Sequence, residues 1–544
     1  MKKKLCLSTV LVLLGVGFWS GVSAQTSIVG SISGTVRDSQ GAAVPKAEVT
    51  IEEETTGQTR TVKTDESGAY SAQSLPVGRY RVSTAPQGFK NTVATGIELH
   101  VGDRVIVDLN LEVGQVNEIV TVTGAAQLVE TESGGVSSLV SEKQVAELPL
   151  NGRNYAALVT LVPGLSAPNE GGAFGTRGTG LDSHVDVSVN GNQSNANMWT
   201  VDGVNNMDVG SNATLLVFPS IDSIAEFKVE RNSFSAEYGQ AQGAVINLVT
   251  KGGGNQFHGT GFYFLRDDSL NANDFFLNSA GQPKGQLKYK NLGGNFSGPI
   301  IKNRAFFFWS EEWRREKRGT ALTGHVPTLA ERAGDFTGPL ATNLSGIVKP
   351  RDPLTCQRSA TTGLLVRDAN GQPIGCQPFP GNIIPANRLS PAGLAMMGIF
   401  PAPNNPSDPL GTNWVSAPLQ PVNTRQDMIR GDVTITDKMN LMIRYINETW
   451  THGVASGNFW GDTPFPTLSS DWDQPSHSFS VKLTNTLTPT AVNEFQFSRA
   501  GNDIFISTST STDALNQAVA AVFRPFSRES RAPAIQLSVG APVV

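Results

Sequence analysis

Two stretches in the C-terminal half of this chain alternate apolar and polar side chains residue by residue, and a period of two leaves few folds open. Ile429, Gly431, Val433 and Ile435 fall on one side of an extended backbone, with Arg430, Asp432, Thr434 and Thr436 on the other. Phe479, Val481, Leu483 and Leu487 likewise oppose Ser478, Ser480, Lys482, Thr484 and Thr486. Alternation over about ten residues marks either a half-buried soluble sheet or a membrane strand with an apolar outside and a polar lumen. The aromatics Phe262, Tyr263, Phe264, Phe306, Phe307, Phe308, Trp309 and Trp313 crowd the same region, as the girdles of a membrane barrel do. Helices cannot supply the crossing, since after the N-terminal leader no apolar run approaches about 18 residues. Glycine at 56 residues and charged residues at only 16% fit a composition of strands and turns.

The leader reads MKKK, an apolar run from Leu5 to Trp19, and then Val22-Ser23-Ala24. These are the three parts of a secretory signal, so residues 1–24 are expected to leave and the mature chain to start at Gln25. Cys6 stands ahead of the apolar run rather than at its end, which argues against a lipid anchor. Loss of Lys2, Lys3 and Lys4 takes the formal charge from -5 to -8, and a mildly acidic chain has no general affinity for nucleic acid. In an exported, oxidising setting, Cys356 and Cys376 read as a disulfide closing a surface loop in preference to a free thiol pair, and no CxxC redox spacing exists.

Residues 25–113 carry short strand runs: Ile32 to Val36, Ala47 to Ile51, Thr59 to Thr64, Ala69 to Ala72, Arg79 to Thr84 and Arg104 to Leu111. Gly41, Asp65-Glu66-Ser67-Gly68, Pro76 with Gly78, and Gln87-Gly88 punctuate them at the spacing of a β-sandwich. The phrases SGTVRDSQGAAVPKAEVTI and TDESGAYSAQSLPVGRYRV resemble the carboxypeptidase regulatory-like, transthyretin-type module, which is grouped with carbohydrate-binding-like folds. The resemblance implies a folded periplasmic extension. Zinc-dependent hydrolysis would need histidine and carboxylate ligands around an open position. The histidines His100, His184, His258, His325, His452 and His477 are scattered and none starts an HxxE pair, so no metal, cofactor or enzymatic activity is expected. Tyr70 and Tyr80 sit at strand positions that core packing accounts for, without a sugar platform.

Residues 114–125 include GQVNEIVTVTG, where Ile119, Val120 and Val122 disfavour helix. By its residues this is a last strand of the sandwich or a plain linker. Within 126–254 the run ELPLNGRNYAALVTLVPGL offers helix caps at Asn151 and Asn154, and an apolar face of Tyr155, Leu158, Val159 and Val162. Pro163-Gly164 supplies the stop. Val185, Val187 and Val189 alternate as one buried strand face, and Asn190-Gly191 and Asp202-Gly203 supply turns. Asp182, Asp186, Asp202 and Glu226 are read as turn and strand-end carboxylates, since no nucleophile or base is paired with them.

LPLNGRN followed by a short helix and a PG stop resembles the opening of the plug domain of TonB-dependent outer-membrane receptors of the Oar-like group. IDSIAEFKV and SAEYGQAQGAVINLVT continue the likeness, and QFHGTGFYF, LNANDFF and FPGNIIPANRLSPAGLAMMGIFPAPN extend it into the barrel, residues 255–544. The resemblance implies that Glu118, Ile119, Val120, Thr121, Val122 and Thr123 form the TonB box, which pairs by strand addition with a TonB-type energy-coupling protein. It also implies that Asn151, Gly152, Arg153 and Asn154 open the plug.

The proline-rich stretch 320–425 is expected to be an extracellular loop, and Arg314, Arg315, Lys317 and Arg318 a headgroup or solvated rim after a strand that ends at Trp313. About eight strands fit after Gln256, against about 22 in plugged transporters, so the N-terminal part of a longer receptor is expected. The fold class is mainly β: an N-terminal Ig/transthyretin-like sandwich, an α+β plug and the first part of a transmembrane β-barrel. The expected function is uptake of a scarce or bulky nutrient across the outer membrane of a Gram-negative-type bacterium. Outer-membrane lipid is a further partner, and the ligand class stays open among oligosaccharide, peptide and siderophore. The competing reading is a carbohydrate-binding or adhesion protein without transport.

Overall fold

A computed structural model describes residues 29–114, 119–123, 136–166, 180, 185, 187–210, 212–234, 238–239, 241–273, 284–319, 322–337, 350–369, 371–405, 413–455, 469–488 and 491–508. The expected leader, Glu118, Asp182 and Asp186 lie outside the described residues.

Apolar residues at alternate positions turn residues 30–123 into two facing sheets. In one, Gly30–Asp38 pairs antiparallel with Ala69–Leu75 and parallel with Arg104–Ile106 and Leu109–Leu111. The other runs in the order Thr59–Lys63, Glu48–Glu53, Gly78–Thr84, Asn91–Leu99, Ile119–Thr123. Ile32, Val36, Val49, Ile51, Val82 and Leu109 fill the space between them. Tyr70 and Tyr80 bury their rings there while their hydroxyls donate to the carbonyls of Val107 (2.6 Å) and Pro76 (2.8 Å). Burial pushes both phenols above their usual range. Glycine is required at position 34, where a Cβ would lie 1.9 Å from the Val107 carbonyl oxygen. Asn91–Leu99 is absent from the expected strands. Thr92 and Ala94 are buried, but so are Ile97 and Leu99, because a register shift opposite Tyr80 and Val82 changes the phase by one residue. A bulged strand loses the alternation by which it would be read.

The inner domain, residues 136–250, is built on a sheet ordered Val136–Val140, Ile224–Asn232, Val245–Thr250, Met198–Val201, Val204–Asn205. The expected short helix is a pair of 3-10 turns, Asn151–Arg153 and Tyr155–Leu161. Its expected apolar face, Tyr155, Leu158, Val159 and Val162, is buried in the core of this domain. A further helix, Glu142–Glu147, starts on a capping box between Ser141 and Gln144. The core does not stop at the domain edge, for Phe308, Met428 and Ile446 of the following sheet belong to it.

That following sheet pairs His258–Asp267, Leu287–Ile301, Ala305–Gly319, Leu419–Thr436, Met439–Ala455, Ser470–Thr488 and Ala491–Asn502 in sequence order, all antiparallel, with Phe505–Thr508 also against Ser470–Thr488. Connections at one end are short, as from Ile301 to Ala305 and from Thr436 to Met439; those at the other are long. Both dyads face as expected. Ser478, Ser480 and Lys482 are buried, whereas Ile429 is 55% exposed and Leu487 57%.

Two expectations need correction. The strand that was to end at Trp313 runs on to Gly319, so the basic cluster lies within it: Arg314 points inward and is buried, while Arg315 is exposed. The long excursion ends at Trp414–Ser416, and the next strand begins at Leu419 rather than after Arg425. A run of charged residues masked the first strand end, and Pro421 with Asn423 masked the second, since both read as loop composition. Within the excursion Cys356 and Cys376 are bonded to each other, and Arg388 pairs with Asp352 at 2.6 Å. No helix among the described residues is long and apolar enough to cross a membrane.

If lipid covers the outward face, Ile429→Arg lowers stability in vesicles by about 2–4 kcal/mol, read by denaturant titration. On a water-covered sheet the same half-exposed position would tolerate arginine with little change.

Candidate functional site

Aspartate followed by glycine is the residue pair that a two-residue hairpin turn asks for, and Asp202-Gly203 takes it with φ of 50° and 80°. The turn joins Met198–Val201 to Val204–Asn205 and pushes its carboxylate against the large sheet. Oδ1 accepts from the Thr250 amide at 3.0 Å; Oδ2 accepts from the Thr250 hydroxyl at 2.8 Å and from Arg444 Nη1 at 3.1 Å. Arg444 also donates to Ser478 Oγ at 2.8 Å, and Gln496 donates to the Asp202 carbonyl at 3.0 Å. Arg430 donates to the Thr250 carbonyl at 2.6 Å and pairs with Asp432 at 2.9 Å. Side chains from four neighbouring strands of the large sheet thus converge on one hairpin tip and the last strand of the inner domain. Arg444 and Asp202 are fully buried, where a charge is tolerable only with a partner.

A second polar cluster holds the segment Phe218–Asp222. The Phe218 amide donates to Glu448 Oε2 at 2.8 Å, and Gln426 exchanges two hydrogen bonds with this segment, to the Phe218 carbonyl and from the Ser220 amide, both 2.7 Å. Ser220 donates to Glu312, which also accepts from Asn291 at 2.8 Å and pairs with Arg314 at 3.0 Å.

The expected plug-opening residues sit beside this cluster. Gly152 and Arg153 have φ of 66° and 54°, and the Asn154 side chain accepts from the Ala156 amide, capping the 3-10 turn. Asn151 lies within the preceding turn, whose cap position is Leu150, so its expected cap is not the one formed. Arg153 pairs with Asp222 and lies 4.4 Å and 4.7 Å from the ring centres of Phe262 and Phe264, on the first strand of the large sheet. Gly152 meets the sheet wall as well, its carbonyl accepting from the Tyr289 hydroxyl at 3.5 Å. Glu312, Gln426, Arg444 and Glu448 were not singled out by motif; the signal that could have found them is their place on the polar side of each strand's alternation.

The expected TonB-box residues Ile119–Thr123 form a strand of the sandwich, parallel to Asn91–Leu99, with Thr121 exposed. This matches the plain last-strand reading of the same residues. The strand ends its sheet, so among the described residues its other edge carries no partner strand.

The sandwich touches both neighbours. Glu226 on the inner domain lies 2.6 Å from His100 Nδ1 and accepts from the Val101 amide at 2.7 Å, while Lys228 pairs with Asp103 at 3.0 Å. At the short-turn end of the large sheet, the Asn255 amide donates to the Thr55 carbonyl at 3.0 Å and Gln58 donates to Asn440 at 2.6 Å. Asp202, Glu226 and Glu448 each accept hydrogen bonds that join one part of the fold to another. Among the described residues no group of three or more His, Cys, Asp or Glu could hold a metal ion.

Arg444→Met, which strands a buried carboxylate, is expected to destabilise the protein by about 3 kcal/mol, read as a lowered denaturant midpoint. A second expectation concerns pH. The hydrogen bond to Glu226 holds the His100 imidazole above its ordinary range, burial opposes the shift, and Asp103 and Glu98 add to it. Lys228 is the other charge at this contact. A raised folded pKa stabilises docking fully below the unfolded value of about 6.5, and the gain fades as pH rises through the folded pKa. The Tm difference between the wild type and His100→Gln therefore narrows from neutral to alkaline pH; a constant difference contradicts it.

Residues 249–542 match the family described as outer membrane beta barrel domain, and residues 31–112 match the carboxypeptidase regulatory-like domain. The chain is 29% identical over 315 residues to the TonB-dependent transporter Oar of Myxococcus xanthus, a match that covers 55% of this chain and 28% of the transporter. Among solved structures it is similar to the siderophore receptor PirA of Acinetobacter baumannii (11% identity, TM-score 0.37, covering 67% of this chain and 40% of PirA). It is also similar to the outer membrane transporter YddB of Escherichia coli (10%, 0.38, 66% and 38%). The chain spans less than a third of the length of the curated relative it matches. The barrel match takes in more than half of the chain and follows a regulatory-like sandwich: the chain belongs to the outer membrane beta-barrel family and lies in the outer membrane.

Proposed function

We propose that this chain is the gate-bearing part of an outer-membrane transporter that admits a scarce or bulky nutrient under the pull of a TonB-type energy-coupling protein. The inner domain is the plug, opened by Asn151, Gly152, Arg153 and Asn154, and Glu118–Thr123 is the TonB box. The observation that carries this reading is the seating of the inner domain on the lumen face by Asp202–Arg444 and by Glu312, Gln426 and Glu448. Polar contacts of this kind suit a part that must leave and return, because once wetted each partner exchanges its hydrogen bonds for water at modest net cost. An apolar seat of the same area would have no such substitute. Short turns mark the periplasmic end of such a barrel, which puts the sandwich and the coupling strand on the side where an energy-coupling protein works. The external ligand is an oligosaccharide, a peptide or a siderophore, and no residue described here selects among them.

Strand addition uses backbone groups, so side-chain identity matters little and an amide matters much. With the purified periplasmic domain of the coupling protein as probe, Val120→Ala retains capture of that domain, whereas Val120→Pro loses at least about tenfold in affinity. Equal capture by both variants refutes the TonB-box assignment.

A further inference from the structure

We infer that the N-terminal sandwich is a clamp that holds the plug shut from the periplasmic side, and that the coupling strand is built into the clamp so that load on it reaches the latch. This rests on the coupling reading above and adds to it a part that must let go.

The clamp grips two bodies at once. Its Thr55–Arg60 hairpin is tied to the barrel through Asn255 and through the pair Gln58–Asn440, with Arg60 bonded to Thr486. Its turn His100–Asp103 is tied to the plug strand Ile224–Asn232, where Glu226 takes the His100 ring and the Val101 amide and Lys228 takes Asp103. Val101 is buried against Val249, beside Ala225. The gripped strand is interior to the plug sheet, bonded to Val136–Val140 on one side and Val245–Thr250 on the other, so the plug cannot leave as a unit while the turn holds it.

The same sandwich carries the load path. Ile119–Thr123 pairs in parallel with Asn91–Leu99, from Asn91 opposite Ile119 to Thr95 opposite Thr123. Leu99 is followed directly by His100, the first residue of the latch. A partner strand added at the free edge extends this sheet without displacing Asn91–Leu99. Tension along the strand is then shared by five paired positions in shear, whereas the latch to the plug consists of two side-chain pairs, one amide bond and a small apolar contact. The latch is the weaker joint and yields first.

The test uses the receptor in its membrane and two readouts that need no nutrient. Amide hydrogen exchange along Ile224–Asn232 reports retention of the plug, and capture of the coupling protein's periplasmic domain reports the coupling reading. In the paired substitution His100→Ala with Asp103→Asn, exchange along Ile224–Asn232 accelerates about tenfold while exchange along Gly30–Asp38 and capture are unchanged. Should that variant also loosen Gly30–Asp38, the plug-side substitution Glu226→Gln reads the same joint without altering the sandwich, and a severalfold acceleration supports the clamp. Exchange along Ile224–Asn232 that stays at the wild-type rate in the intact-sandwich variants overturns the clamp. Absence of capture by the wild-type receptor overturns the coupling reading instead, and leaves the clamp to stand or fall on exchange.

Discussion

A sheet whose inward face carries arginine, glutamate and glutamine needs something to hydrogen-bond them, and most of this structure follows from that need. Neighbouring strands satisfy each other's backbone groups, so a sheet closed into a barrel can face lipid where the described residues hold no long apolar helix. Their period of two then sends every second side chain inward, where Arg430, Arg444, Glu312, Gln426 and Glu448 meet the inner domain. Three inner-domain segments answer them: the Asp202-Gly203 hairpin tip, Thr250 at the end of the last strand, and Phe218–Asp222. Phe308, Met428 and Ile446 complete a shared core, which makes the inner domain and its wall one packing unit.

The sandwich is a different kind of part. It has its own core, filled between two sheets, and meets the rest through a few polar contacts and one small apolar one. Domain contacts of that size permit relative motion. It meets both the inner domain and the short turns of the large sheet, and Ile119–Thr123 is its edge strand among the described residues.

How far the chain could be read in advance depended on whether a feature was local. The facing of Phe479, Val481 and Leu483 against Ser478, Ser480 and Lys482 needs only the pleat, and it came out as read. So did the buried face of Tyr155, Leu158, Val159 and Val162, although the helix is a 3-10 turn. Asn91–Leu99 failed because a bulge shifts the phase within one strand. The strand ends at Gly319 and Leu419 failed because the charges between Arg314 and Arg318, and Pro421 with Asn423, look in sequence like a loop.

Sequence by itself determined the class of this protein: alternation, aromatic girdles, turn residues such as Asp202-Gly203, and the absence of a long apolar run all act within a few residues of chain. Only the tertiary structure decided who holds whom. Asp202 meets Arg444 across 242 positions, Glu226 meets His100 across 126, and Ile119–Thr123 chooses the sandwich as its neighbour. No local propensity encodes such pairings. They are fixed by which buried charge must find a partner once the strands have packed against the inner domain.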